Sequence, residues 1–110
     1  MTGWSPVCAL DEMVPERGAA CLLGDQQVAV FRVAEATVFA VGNYDPFAHA
    51  NVISRGIVGT AGGRWFVASP MYKQRFDLCT GTCHEDADVR LPVFQTRVQD
   101  GIVYVAAAQE

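Results

Sequence analysis

Positive charge is scarce in this chain and nowhere gathered. Eight lysines and arginines stand against twelve aspartates and glutamates, for a formal charge of −4. Nucleic-acid binding needs a basic footprint that releases counterions from phosphate, and none is present. A basic amphipathic helix, the usual device for lying on a membrane surface, is missing as well. The longest unbroken apolar run, residues 102–108, is far shorter than the ~20 residues a membrane-spanning helix requires. Met1-Thr-Gly-Trp-Ser-Pro6 lacks the basic start and apolar stretch of a signal peptide. The expectation is a soluble, cytoplasmic protein that binds neither nucleic acid nor membrane. Its four cysteines (Cys8, Cys21, Cys79, Cys83) are then expected as reduced thiols.

Catalytic signatures are equally absent. The chain has no Gly-x-Ser-x-Gly elbow, no phosphate-cradling glycine loop and no dinucleotide fingerprint ahead of a helix. Glu85, Asp86 and Asp88 read as a solvated acidic turn. A mononuclear metal at Asp45, Tyr72 and His49 would rest on one carboxylate, one phenol and one imidazole without regular spacing. Cys79-Thr-Gly-Thr-Cys83-His84 has one residue too many for haem attachment. As a zinc site it lacks a nearby fourth ligand, since only distant Cys8 or Cys21 could complete it. These cysteines read instead as small apolar packing groups, with Cys79 partly buried.

What the chain does have is a generous supply of core. About half of its 110 residues are apolar, enough for one domain with a single ordinary core. Strands are expected at residues 4–8, 19–23, 27–33, 37–41, 64–68, 75–79, 94–99 and 102–106. In the third of these Val28, Val30 and Arg32 face one way, and Ala29, Phe31 and Val33 the other. Phe94, Thr96 and Val98 point inward by the same alternation. Gly24-Asp25 and Asp100-Gly101 are hairpin turns, the second of type I′. Ala48-His-Ala-Asn-Val52 could form one helical turn, and Gly56 and Gly59 argue against a long helix. The fold class is all-β, an antiparallel sandwich or small barrel with an inserted smaller lobe. The single domain spans residues 1–110, and the lobe about 42–80.

Two polar, proline-containing loops stand at the ends of apolar strands. Gly42-Asn-Tyr-Asp-Pro-Phe47 follows Val38-Phe-Ala-Val41, and Ser69-Pro-Met-Tyr-Lys-Gln-Arg-Phe-Asp-Leu78 follows Trp65-Phe-Val-Ala68. This frame resembles a Rieske domain, which reads Cys-x-His in the first loop and Cys-x-x-His in the second. Here Asn43 and Asp45 stand at the first pair of positions, and Ser69 and Tyr72 at the second. Phe76, Leu78 and the turn glycine Gly81 keep the tail of the motif. A Rieske centre needs two thiolates on one iron and two imidazoles on the other. An amide and an aliphatic hydroxyl supply neither the charge nor the softness of thiolates, so no cluster is expected in this chain. The expected use of these side chains is to hydrogen-bond the two loops to each other.

Asp45-Pro-Phe47, Ile53-Ser-Arg-Gly-Ile-Val-Gly59, Ala68-Ser-Pro-Met-Tyr-Lys-Gln74 and Leu78-Cys-Thr-Gly-Thr-Cys83 together resemble the small subunit of NAD(P)H-dependent assimilatory nitrite reductase. Leu91-Pro-Val-Phe94 and Asp100-Gly101 extend the likeness, which covers roughly residues 38–105. The resemblance implies a non-catalytic subunit that stabilises or organises a large partner chain. That partner would carry FAD, sirohaem and an iron–sulfur cluster, and would reduce nitrite to ammonium. An alternative is a Rieske-type ferredoxin passing electrons to another oxidoreductase. For recognition, the candidate partner-binding residues are Phe47, Arg55, Met71 and Lys73, with Tyr44 and Tyr72 beside them. Aromatic and apolar side chains rimmed by charge are what interfaces use as anchors. Phe47 and Tyr72 each have two placements open to them: outward on this face, or inward into the space a cluster would fill.

Overall fold

The computed structural model describes residues 3–106. The expectations drawn from the first two residues and from residues 107–110 lie outside it. In chain order the strands are β1 (Trp4–Ala9), β2 (Gly18–Leu23), β3 (Gln26–Arg32), β4 (Val38–Gly42), β5 (Tyr44–Asp45), β6 (Ala50–Asn51), β7 (Ile57–Ala61), β8 (Arg64–Ala68), β9 (Arg75–Asp77), β10 (Val93–Gln99) and β11 (Ile102–Ala106). Single 3₁₀ turns at Leu10–Glu12 and Ile53–Arg55 are the helical elements among the described residues.

Six strands form one antiparallel sheet in the order β1-β11-β10-β4-β3-β2, whose two edge strands curl toward each other to make an almost closed barrel. The turn that joins β10 to β11 has Asp100 and Gly101 both at positive φ, 54° and 77°, as a type I′ turn requires. β7, β8 and β9 form a separate three-stranded sheet, and β5 and β6 a short hairpin. These five strands make up the inserted lobe.

β3 separates two cores. Its alternating side chains send Val28 and Val30 into the barrel, with Val38, Phe94, Val103 and Val105. Ala29 and Phe31 go to the other side, where they meet Ile53, Val67, Phe76 and Leu78 of the lobe. A strand buried on both faces reads as a continuous apolar run, as Val28 to Phe31 does. Arg32 ends that run on the barrel side. Its guanidinium donates to the carbonyl oxygens of Leu10, Met13 and Glu35, tying down the connection from β1 to β2. Gly81 closes the lobe with φ 81°, where a Cβ would lie 2.2 Å from the Leu91 carbonyl oxygen. Only glycine fits there.

Three local expectations are corrected. Residues 48–52 form no helical turn; the chain reverses through residues 46–49 between β5 and β6. The 3₁₀ turn lies further on, at Ile53–Arg55. Residues 57–61, the end of the connection expected over 43–59 and the start of the hairpin turn expected over 60–64, form β7 and pair with β8 from Ile57↔Ala68 to Ala61↔Arg64. The strand expected at 75–79 stops at Asp77, because the Asp77 carboxylate accepts the backbone N–H groups of Cys79 and Thr80 and folds the chain into a turn.

Candidate functional site

The two loops meet at the end of the lobe, and each is closed around one buried polar side chain. In the first, Asp45 is fully buried and its Oδ1 accepts the N–H groups of Phe47 (2.8 Å) and Ala48 (3.2 Å). Its carbonyl oxygen accepts the His49 N–H at 2.8 Å. In the second, the Ser69 N–H donates to Gln74 O at 2.9 Å, and Ser69 O accepts from the Lys73 N–H at 3.1 Å. Ser69 Oγ accepts the Met71 N–H at 3.2 Å. The same hydroxyl donates to Asp45 Oδ2. Among the described residues this is the one hydrogen bond that joins the two loops.

Asn43 is buried too and works inside the first loop. Its Nδ2 donates to Gln27 Oε1 at 3.0 Å, and its Oδ1 accepts the Ser54 N–H at 2.7 Å. The side chain thereby ties β4 to β3 on one side and to the 3₁₀ turn on the other. Tyr72 takes the outward placement and is 60% exposed. The four positions that hold ligands in a Rieske frame therefore divide into three buried hydrogen-bonding groups and one surface phenol.

That arrangement does not fit a 2Fe–2S cluster. Two of the four positions, Asp45 and Ser69, are in direct hydrogen-bond contact, which leaves no room between them for a group that must lie there. The donors are also of the wrong chemistry, with neither thiolate nor imidazole among them. The cysteines elsewhere do not supply a substitute. Cys79 is exposed, contrary to expectation, because the turn at Asp77 carries it outward. Cys83 is buried, and burial pushes its thiol pKa up. His84 lies edge-on to Phe66, with ring centroids 5.8 Å apart. Among the described residues no three histidine, cysteine, aspartate or glutamate side chains converge as metal ligands.

The outer surface of the loops is apolar with charge beside it. Met71 is 54% exposed and Tyr44 47% exposed, and the Tyr44 hydroxyl lies 3.1 Å from His49 Nδ1. Arg55 and Lys73 are exposed, and neither forms an ion pair among the described residues. Phe47 is half-buried, with its ring 6.3 Å from that of Phe76, so it anchors the loop to the lobe core more than it faces outward. Ile57 is 74% exposed and pairs with Ala68, the residue before Ser69. Sequence reading passed over it because it sat within an unassigned connection; an isoleucine between glycines was the available signal. A hollow of about 250 Å³ beside the first loop is lined by Gln26, Gln27, Asn43, Asn51 and Arg90 among others. Its polar lining is amides, one guanidinium and the Tyr44 phenol.

Residues 3–106 match the family model described as a Rieske-like [2Fe-2S] domain. The chain is 44% identical over 104 residues to the nitrite reductase (NADH) small subunit of Escherichia coli K12, covering 94% of this chain and 96% of that one. The NMR structure of the E. coli protein NirD superposes with a TM-score of 0.90 at 42% identity, covering 99% of this chain and 100% of that one. A nitrite reductase [NAD(P)H] large subunit from Klebsiella oxytoca is 37% identical over 106 residues, which are 96% of this chain and 11% of that one.

Proposed function

We propose a role that proceeds from one fact: this chain belongs to the Rieske-like family of nitrite reductase (NADH) small subunits. It acts as a docking subunit of the large nitrite reductase chain, and it does so without a cluster of its own. The carrying observation is the contact between Ser69 and Asp45, which occupies two former ligand positions with each other. A domain that kept the frame and gave up electron transfer still has a shaped, partly apolar tip to offer a partner.

The Klebsiella relative supports the pairing. A stretch similar to this whole chain lies within a protein named as the large subunit. Joining two partners in one chain raises their effective concentration and keeps them together, which suits domains that work in contact. The large partner of the present chain would hold FAD, sirohaem and an iron–sulfur cluster and would reduce nitrite to ammonium with NAD(P)H electrons, as a step of nitrate assimilation. Both belong to the cytoplasm, where NAD(P)H is supplied. No helix among the described residues is long and apolar enough to cross a membrane.

The residues put forward for docking are Met71, Tyr72 and Lys73 of the second loop, Phe47 of the first, and Ile57 and Arg55, with Ile57 paired to Ala68 just ahead of the second loop. Large exposed apolar groups rimmed by charge mark interaction sites. Affinity capture of the large subunit on this chain, followed by a nitrite reduction assay with and without it, tests the reading. Saturable capture, with activity or stability of the large subunit depending on this chain, is expected. A large subunit that neither binds it nor responds to it would overturn the proposal.

A further inference from the structure

We propose that the Ser69–Asp45 hydrogen bond is a latch that takes over the loop-bridging part of a cluster and presets the docking tip. This rests on the docking role proposed above and adds the positioning residues behind it.

A 2Fe–2S cluster ligated from two loops does two separable things. It carries an electron, and it ties the loops together. The first is beyond a serine and an aspartate. The second is within their reach, because the hydroxyl and the buried carboxyl face each other directly, and breaking their hydrogen bond would leave polar groups unpaired in the interior. The two residues are also the right ones to join, since each already organises its own loop. The turn carrying Met71, Tyr72 and Lys73 closes through Ser69, by its N–H, its carbonyl and its hydroxyl. The turn carrying Phe47, Ala48 and His49 closes through Asp45, by its carbonyl and its carboxylate. One bond between two such hubs fixes every exposed side chain of one tip against those of the other.

The need for such a bond follows from the backbone. Lys73 and His49 both have positive φ, 67° and 55°, a region that residues with a side chain adopt at a cost. Each turn therefore tends to relax unless held. Among the described residues no second hydrogen bond crosses between the loops, and beside the latch stands only the non-directional packing of Phe47 on Phe76. Presetting the tip spares the complex the cost of ordering it on binding. Ser69 and Asp45 are buried, so they touch no partner and act only through the residues they position.

Amide hydrogen exchange on the isolated chain tests the latch, and affinity for the purified large subunit tests its purpose. In Ser69→Ala, exchange at the Phe47 and Lys73 amides, whose own acceptors survive the substitution, should rise roughly tenfold or more, while β10 and β11 amides such as Val98 and Val103 stay unchanged as an internal check on folding. The dissociation constant for the large subunit should rise by about tenfold, the loss expected when one buried hydrogen bond no longer presets the surface. In the unaltered chain, the Phe47 and Met71 amides should show the same dependence of exchange on denaturant, since one bond makes their loops open together. That measurement needs no variant and stands if Ser69→Ala fails to fold. Unchanged exchange at both loops, or independent opening in the unaltered chain, would overturn the latch. Raised exchange with unchanged affinity would overturn its part in docking. An unaltered chain that fails to bind the large subunit would count against the docking role itself, with the exchange result still deciding the latch.

Discussion

Asp45 and Asp77 hold their turns by the same device, although one lies in the tip and the other at the far end of β9. Each carboxylate directs its Oδ1 to the backbone N–H groups two and three residues ahead: Phe47 and Ala48 for Asp45, Cys79 and Thr80 for Asp77. They differ in what the second oxygen meets. Asp45 Oδ2 accepts from the Ser69 hydroxyl, whereas Asp77 Oδ2 accepts from Arg64 Nε. The first makes a link between loops, the second an ion pair across the lobe sheet.

The Asp77 pair gives a pH dependence with a definite sign. Burial pushes its carboxyl pKa up, but the Arg64 guanidinium and the Thr80 and Cys79 N–H groups outweigh burial and hold it below the usual range. The unfolded chain, with an aspartate pKa of about 3.9, therefore binds the proton first as pH falls. Stability from Asp77 is complete above that value and is lost as pH drops through the lower folded pKa. Urea unfolding from neutral to strongly acid pH should show Asp77→Asn losing less stability on acidification than the unaltered chain. Parallel curves would assign the acid sensitivity elsewhere. Because Arg64 is more than half exposed, solvent screens its charge and the turn N–H bonds remain when it is removed.

Phe76 is fully buried where β9 meets the lobe core, with Phe47 beside it. Phe76→Ala should cost about 3–5 kcal/mol in denaturant unfolding, the usual loss for a large aromatic deleted from a core. Exchange should rise first in β7 to β9, because Val28, Val30, Phe94 and Val103 pack in the separate barrel core. Uniform loss of protection across both cores would show that β3 couples them into one unit.

Arg55→Glu with Lys73→Glu should weaken capture of the large subunit while leaving the melting temperature close to that of the unaltered chain. Both side chains are exposed and form no ion pair among the described residues, so reversing them costs little in the fold. At an interface the same reversal sets like charges against each other or removes favourable ones. Undiminished capture would remove both residues from the docking surface.

Much of this was legible in the sequence, and the boundary is a physical one. Period-two alternation at Val28 to Phe31 and at Phe94 to Val98 is a local signal, and the strands follow it. Asp100-Gly101 carries its turn type in its own chemistry. The family frame showed through the loop motifs even with every ligand replaced. What local pattern could not show was partnership at a distance. Ile57 to Ala61 became a strand by pairing with β8, despite Gly59 in its middle. Cys79 was carried to the surface by a carboxylate two residues earlier. The hydrogen bond from Ser69 to Asp45 joins residues 24 positions apart, and no local pattern announces it.

Asn43→Cys, Asp45→His, Ser69→Cys and Tyr72→His together restore the ligand types of a Rieske centre. Reconstitution with iron and sulfide should give only a labile cluster, well short of one per chain. The loops are drawn together at positions 45 and 69, and position 72 faces outward. A stable, stoichiometric cluster with Rieske absorption would show that the frame has kept its original spacing and that only the ligands were lost.

The central claim is that this chain serves its partner without a cluster. Its most direct test uses chain freed of iron by a chelator, with iron and acid-labile sulfide quantified, added back to purified large subunit. Nitrite-dependent NAD(P)H oxidation and binding are then measured against untreated chain. The account predicts that the iron-free chain binds and supports the large subunit as well as the untreated one does. Loss of either property on iron removal, with recovery when a cluster is rebuilt in this chain, would contradict it.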